Sequence, residues 1–222
     1  MKKAIVLLSG GLDSSTCLYW ALHRNYQVKA LTFDYGQKHH RELRSAKKIA
    51  ELAKVPCQTI HFKLPWKGSS LLDKNLTLPK NRSQKQMSAP VLPSTYVPAR
   101  NTIFLSFALS FADAEQAEAI VIGANAIDYS GYPDCRPNYL RAMQKAAKLG
   151  TRMGNEGTPI QILSPLLKLS KAKIVQLAQK LKVPIAQTWS CYSGGKKICG
   201  TCDSCLLRQK GFQEARLVDP SL

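Results

Sequence analysis

Ala4-Ile5-Val6-Leu7-Leu8-Ser9-Gly10-Gly11-Leu12-Asp13-Ser14-Ser15 is the stretch that decides the fold. Its first five residues are aliphatic without alternation, the pattern of a parallel strand covered on both faces. From Ser14 the period changes, and Cys17, Leu18, Ala21 and Leu22 fall on one helical stripe. A strand, a glycine turn and a helix start together make an anion site. The glycines permit close backbone approach, and the first N–H groups of the helix lack intrahelical partners. The hydroxyls of Ser9, Ser14 and Ser15 add donors, and Asp13 could hold a magnesium ion on a phosphate. The loop lacks the lysine of G-x-x-x-x-G-K-[ST] and does not fit G-x-G-x-x-G. The plainer alternative is a tight turn with serine capping the helix, but two glycines, three hydroxyls and an acid exceed what a turn requires.

Downstream, Val28–Phe33 reads as a second strand, ending at Asp34-Tyr35-Gly36-Gln37. Glu42–Ala53 places Leu43, Ala46, Ile49, Ala50 and Ala53 at helical spacing, and Val55–Phe62 reads as a third strand with Pro56 near its start. This βαβαβ alternation predicts a Rossmann-like α/β fold, a parallel sheet with helices on both faces. Residues 63–98 break the pattern, carrying five prolines among Lys, Ser and Asn, and a loop of that length is functional or disordered. Because it leads into Ala99-Arg100-Asn101, the expectation is an active-site lid. Asn101–Ala119 reads as an apolar helix with Ile103, Phe104, Phe107, Ala108 and Phe111 on its buried side, and a strand to Gly123 follows. Asn138–Leu149 is helical, Ile160–Leu163 a short strand, and Ser170 caps a helix to Leu181. Ligands bind beyond the carboxyl ends of parallel strands, so the connections at 9–15, 34–39 and 124–136 are the candidate site.

At 222 residues and 45% hydrophobic content the chain can bury one good core. The expected organisation is a nucleotide-binding α/β domain over 1–185 with a C-terminal segment, 186–222, packed on it. No apolar stretch approaches the roughly 20 residues of a transmembrane helix. Met1-Lys2-Lys3 and the apolar run after it imitate a signal peptide, but glycines replace the cleavage site, so the expectation is a cytoplasmic protein. The formal charge of +18 suits nucleic acid or small anionic substrates. With the charge spread and no single block of one sign, a solvated basic surface is the reading, and neither nucleic acid nor membrane is an expected partner.

Four of the seven cysteines cluster as Cys191…Cys199-x-x-Cys202-x-x-Cys205. In a cytosolic chain this argues for metal over disulfides, and four thiolates among Gly194, Gly195 and Gly200 suit tetrahedral zinc. Iron–sulfur clusters use similar spacings, but the fourth ligand lies upstream and no C-P follows. Four protein ligands leave no open position, so the zinc would be structural. Cys17 and Cys57 read as small core residues, while Cys135 stands between pocket lining and core. His39 follows a strand end and is either a ligand contact or a solvated helix start; His23 and His61 read as packing or surface residues.

S-G-G-x-D-S resembles the PP-loop of the ATP pyrophosphatases, which implies ATP attacked at its α-phosphate with pyrophosphate held by the loop. A closer resemblance runs nearly end to end. S-G-G-L-D-S, F-D-Y-G-Q, Y-V-P-A-R-N, the run Ile127 to Pro137 (I-D-Y-S-G-Y-P-D-C-R-P) and W-S-C-Y…C-G-x-C-D-S-C together resemble the 7-cyano-7-deazaguanine synthase family of queuosine precursor biosynthesis. Lys38 stands where arginine is frequent there, and Lys168 and Lys173 where neutral or acidic side chains are expected.

The resemblance implies an ATP-dependent ligase that converts 7-carboxy-7-deazaguanine and ammonia to the nitrile through two adenylations, as a homodimer. It assigns Leu8, Ser9, Gly10, Gly11, Leu12, Asp13, Ser14 and Ser15 to ATP and its magnesium, and Cys191, Cys199, Cys202 and Cys205 to zinc. Within that chemistry backbone amides with Ser9 and Ser14 hold the leaving pyrophosphate, Asp13 holds magnesium on a phosphate, and Lys171 or Arg100 neutralises charge. Asp128, Tyr129, Tyr132, Asp134 and Arg136 are the candidates for gripping the deazaguanine, an acid for its amino edge and an aromatic for its face. Two rivals stay open. A PP-loop tRNA-thiolating enzyme would use the charge as a binding surface and need a reactive cysteine pair. A non-catalytic zinc-bearing nucleic-acid module would leave the glycine loop and the 128–136 loop without a purpose.

Overall fold

The computed structural model describes residues 1–87, 89, 91–125 and 132–221. In chain order these form β1 (Lys3–Leu7), α1 (Leu12–His23), β2 (Gln27–Asp34), α2 (Arg41–Leu52), β3 (Cys57–His61), α3 (Gln84–Met87), α4 (Arg100–Glu115), β4 (Ala119–Val121), α5 (Pro137–Gly150), α6 (Arg152–Asn155), β5 (Gln161–Leu163), α7 (Lys171–Lys180) and α8 (Asp203–Ala215). The strands pair in the order β3-β2-β1-β4-β5, every pair parallel. Chain order reverses between β1 and β4, which opens a crevice at the carboxyl end of β1.

The unbroken apolar run of β1 has a plain cause. Ile5 and Leu7 face one core with Leu31, Phe33 and Ile120, under Leu105, Ala108 and Ala112 of α4. Ala4, Val6 and Leu8 face the other with Ala30 and Val121, under Cys17 and Leu18 of α1, Ala46 and Ile49 of α2 and Ile174 of α7. Each large side chain so buried contributes roughly 1.5–3 kcal/mol, which fixes the strand at the centre. Burial raises the Cys17 thiol well above its ordinary pKa, in keeping with a core residue.

Helix α4 lies in a different phase from the one its sequence suggests. Its buried line is Leu105, Ala108 and Ala112, while Phe107 is 39% exposed and Ile103, Phe104 and Phe111 are only half-buried. The small alanines let the helix lie close to the sheet, and the rings are displaced to its flank. There Phe104 stacks on Phe33 at 4.0 Å and Phe107 packs on Phe62 at 5.3 Å. The helix also stops at Glu115, short of Ala119, because Gln116 adopts φ 55° and Ala117 N–H turns back to the Ala112 carbonyl at 2.8 Å.

Residues 63–98 are anchored at both ends of their span. Leu71 and Val97 are buried in the α4-side core, and Ser69, Ser70 and Thr95 are buried beside them. Lys80 forms an antiparallel bridge with Cys202, Asn81 N–H donates to the Thr201 carbonyl, and Arg82 pairs with buried Asp203 at 2.9 Å. Helix α8 packs on α7 and α1, with Phe212 against Leu12, Val175, Ala178 and Val183. Among the described residues no helix is long and apolar enough to cross a membrane.

Candidate active site and metal centre

At the end of β1 the chain turns through Gly10 at φ +83°. A Cβ there would lie 2.4 Å from the Glu42 carbonyl and 2.5 Å from the Ala46 nitrogen, so only glycine lets the loop rest on α2. The Gly10 carbonyl accepts from Trp189 N–H at 2.8 Å, which ties the loop to the C-terminal segment. Ser14 Oγ accepts from Ser9 N–H at 3.1 Å and lies 3.0 Å from Ser9 Oγ and 3.2 Å from the Gly11 carbonyl. Ser9 and Ser14 line the cleft together with Leu8, Gly11, Leu12 and Asp13. Ser15 differs: it is fully buried, and its hydroxyl donates back to the Gly11 carbonyl at 2.7 Å.

Lys171 and Asp13 face each other across the loop, Nζ lying 2.7 and 3.0 Å from the two carboxylate oxygens. Ser170 caps α7 from the Lys173 N–H, which sets Lys171 in the first turn. Gly211 of α8 makes room: a Cβ there would lie 2.3 Å from Lys171 Cγ. Arg100 enters the cleft from the first turn of α4, after Ala99 at φ 51°, and donates to Tyr35 Oη at 3.3 Å. Burial opposes its charge, but the Tyr35 and Tyr132 oxygens outweigh that and raise its pKa above the ordinary value. Glu42 is the second acid lining the cleft among the described residues. Burial raises its carboxyl to about 7, against the pull of Arg100.

At the far end Tyr132 lines the cleft, with its hydroxyl 2.9 Å from Thr95 Oγ1 and its ring 5.7 Å from Tyr96. Asp134 is buried and accepts from Asn101 N–H at 3.0 Å, capping α4 and fixing the approach of Arg100. Cys135 lines the cleft and accepts from Asn101 Nδ2 at 3.2 Å. Burial, then the neighbouring Asp134 charge, push its thiol up to about 12, so it stays protonated. Arg136 is exposed at the start of α5 and does not line the cleft. Asp128 and Tyr129 lie outside the described residues.

Cys191, Cys199, Cys202 and Cys205 bring their sulfurs within 4.8 Å of one another. The Cys202–Cys205 and Cys199–Cys205 separations are 3.4 and 3.8 Å. Tetrahedral zinc with sulfurs at about 2.3 Å requires about 3.8 Å between them, so the donor set fits. Thr201 and Cys202 N–H point at Cys199 Sγ, and Cys199 N–H points at Cys191 Sγ. These donors stabilise thiolate charge. The four residues could hold a metal with no protein-free position.

The sequence model described as "Queuosine biosynthesis protein QueC" matches residues 3–216. The chain belongs to the QueC family. A relative from Trichodesmium erythraeum, named 7-cyano-7-deazaguanine synthase, is 54% identical over 220 residues, covering 98% of this chain and 99% of its own. Relatives of the same name from Acetivibrio thermocellus and Thermoplasma acidophilum are 51% and 52% identical, covering 99% of this chain and 96% and 91% of theirs. Among solved structures the NMN synthetase of Francisella tularensis superposes with a TM-score of 0.52 at 14% identity, covering 98% of this chain and 78% of that one. At that identity the likeness speaks for the fold alone.

In this QueC-family chain the fold gathers Ser9, Asp13, Ser14, Arg100, Lys171 and Tyr132 into one cleft. It also brings in Glu42, Ser190 and Arg208, which sequence reasoning missed. Glu42 carried a faint signal as the one acid in the basic helix start R-E-L-R-S-A-K-K. Arg208 carried none, since it is buried and donates to Asp219 Oδ1 at 2.9 Å, Thr188 Oγ1 at 2.8 Å and Ser190 Oγ at 3.4 Å.

Proposed function

We propose that the chain is an ATP-dependent ligase making 7-cyano-7-deazaguanine from 7-carboxy-7-deazaguanine and ammonia, as the names of its relatives imply. The observation that carries the reading is the PP-loop facing Lys171 and Arg100 in a cleft that also holds Tyr132. The substrate carboxylate attacks the α-phosphorus, and the bond to pyrophosphate breaks. Loop N–H groups with Ser9 and Ser14 hold the departing charge, and Lys171 and Arg100 offset it. Ammonia adds to the acyl carbon, sheds a proton and expels AMP, leaving the amide. The amide oxygen then attacks the α-phosphorus of a second ATP and expels pyrophosphate, and loss of AMP with both amide protons leaves the nitrile. No protein nucleophile is needed, only position, charge and exclusion of water.

Asp13 would hold a magnesium ion that offsets phosphate charge, and zinc is the metal the four thiolates suit best; Tyr132 and the 128–129 pair remain the candidates for the purine. The protonated state of Cys135 and burial of Cys17 count against sulfur transfer, which needs reactive thiolates. Purified protein with ATP, ammonia and the carboxylated base, without RNA, should yield nitrile. Turnover only on added tRNA would overturn the reading.

A further inference from the structure

The clearest feature the ligase chemistry leaves unused lies behind the phosphate loop. A groove runs there between α2, the 186–189 segment, the 196–198 turn and the tail at 220–221. Its walls carry Arg41, Arg44, Lys48, Lys196 and Lys197, and no acidic residue lines it. Among the described residues Arg41, Arg44, Lys196 and Lys197 have no ion-pair partner, and Lys48 meets only exposed Glu51 at 3.0 Å. Four of the five cations are exposed, and Arg41 is held over the Trp189 ring at 4.5 Å with its guanidinium donating to the Lys196 carbonyl. Unpaired like charges held together repel, and the natural relief is an external anion.

We infer that this groove binds the phosphodiester backbone of a nucleic-acid strand. Arg41, Arg44 and Lys48 stand three and four residues apart on α2, so at about 1.5 Å per residue they rise about 4.5 and 6 Å along one side. That spacing is of the order of the distance between successive phosphates on a strand. Long exposed side chains around an open groove suit an extended polyanion better than a small enclosed one. The one aromatic ring in the groove, Trp189, is buried under Arg41 and offers no stacking face, so the groove reads charge and not sequence. The inference stands apart from the ligase reading, since none of these five residues lines the catalytic cleft.

The test is fluorescence anisotropy of a labelled 15-nucleotide oligouridylate against the full-length protein across a salt series. About four phosphate contacts predict a log–log salt slope near −3, and oligothymidylate should bind equally. The variant Lys196→Glu/Lys197→Glu should lose at least tenfold in affinity and flatten the slope by about 1.4. The control Lys145→Glu/Lys148→Glu changes net charge equally on exposed positions of α5, and should keep the slope and most of the affinity. Nitrile formation by the groove variant should match the parent. Inorganic tripolyphosphate should compete only weakly. Equal losses in both variants would show a diffuse field and overturn the inference, as would no oligouridylate binding or displacement by tripolyphosphate at equal phosphate concentration.

Discussion

Glu42 stands in the first turn of α2, beside the backbone on which Gly10 rests, with its side chain in the cleft. Its carboxyl titrates near 4.5 in the unfolded chain and about 7 in the fold, so the folded state holds its proton more tightly. The stability this contributes is present below about 4.5 and is lost as pH rises through 7, on the order of 1–3 kcal/mol in all. Glu42→Gln stays neutral throughout. Its Tm should therefore fall less than the parent's between pH 5 and pH 8, and superimposable Tm–pH profiles would refute the assignment. Gly211 offers a second check. In Gly211→Ala the new methyl must displace Lys171, so stability should drop by about 1–3 kcal/mol and KM for ATP should rise. Unchanged melting and unchanged KM would show that α7 yields at no cost. Residues such as Ser9 and Ser14 were legible because their hydroxyls meet within one short loop. Glu42, Gly211 and Arg208 were not, because each matters only through a distant element brought against it.

The elements carry a coupling that their separate patterns do not reveal. Trp189, two residues before the first cysteine of the four-thiol cluster, donates to the Gly10 carbonyl, and Arg208 of α8 braces Thr188 and Ser190 on either side of it. The cysteine-cluster segment thus forms part of the outer wall of the 9–15 loop. Removing the metal with a chelator, or replacing one ligand in Cys202→Ser, should lower Tm and weaken ATP binding together. Calorimetric ATP titration of the metal-free protein giving the parent's affinity would contradict this. The strap at 80–82 belongs to the same assembly, since it pairs with Cys202, Thr201 and Asp203. Sequence pattern gave the type of the strands and longer helices but missed the short α3 and α6 and all of α8, which begins among the cysteines read as metal ligands. It also misplaced the face of α4, because its alanines and not its phenylalanines meet the sheet. Periodicity finds a helical stripe, but the volume available against the sheet decides which side of the stripe is buried.

For the whole molecule, parallel strands in the order β3-β2-β1-β4-β5 place the 9–15 loop, the 34–37 turn and the start of the 124–136 connection at one edge. The alternation of strands and helices announced this, since parallel pairing and right-handed crossovers leave few topologies. Charge was less legible. Its concentration behind the loop arises only when residues 41–48 meet residues 196–197, which lie some 150 positions apart in the chain. The central claim is that the cleft directs attack at the α-phosphorus of ATP and does so twice for each product. Its most direct test counts nucleotide products against nitrile in a single reaction with labelled ATP. The account predicts two AMP and two pyrophosphate per nitrile, with amide appearing transiently. ADP and orthophosphate as the products, or one AMP per nitrile, would contradict it.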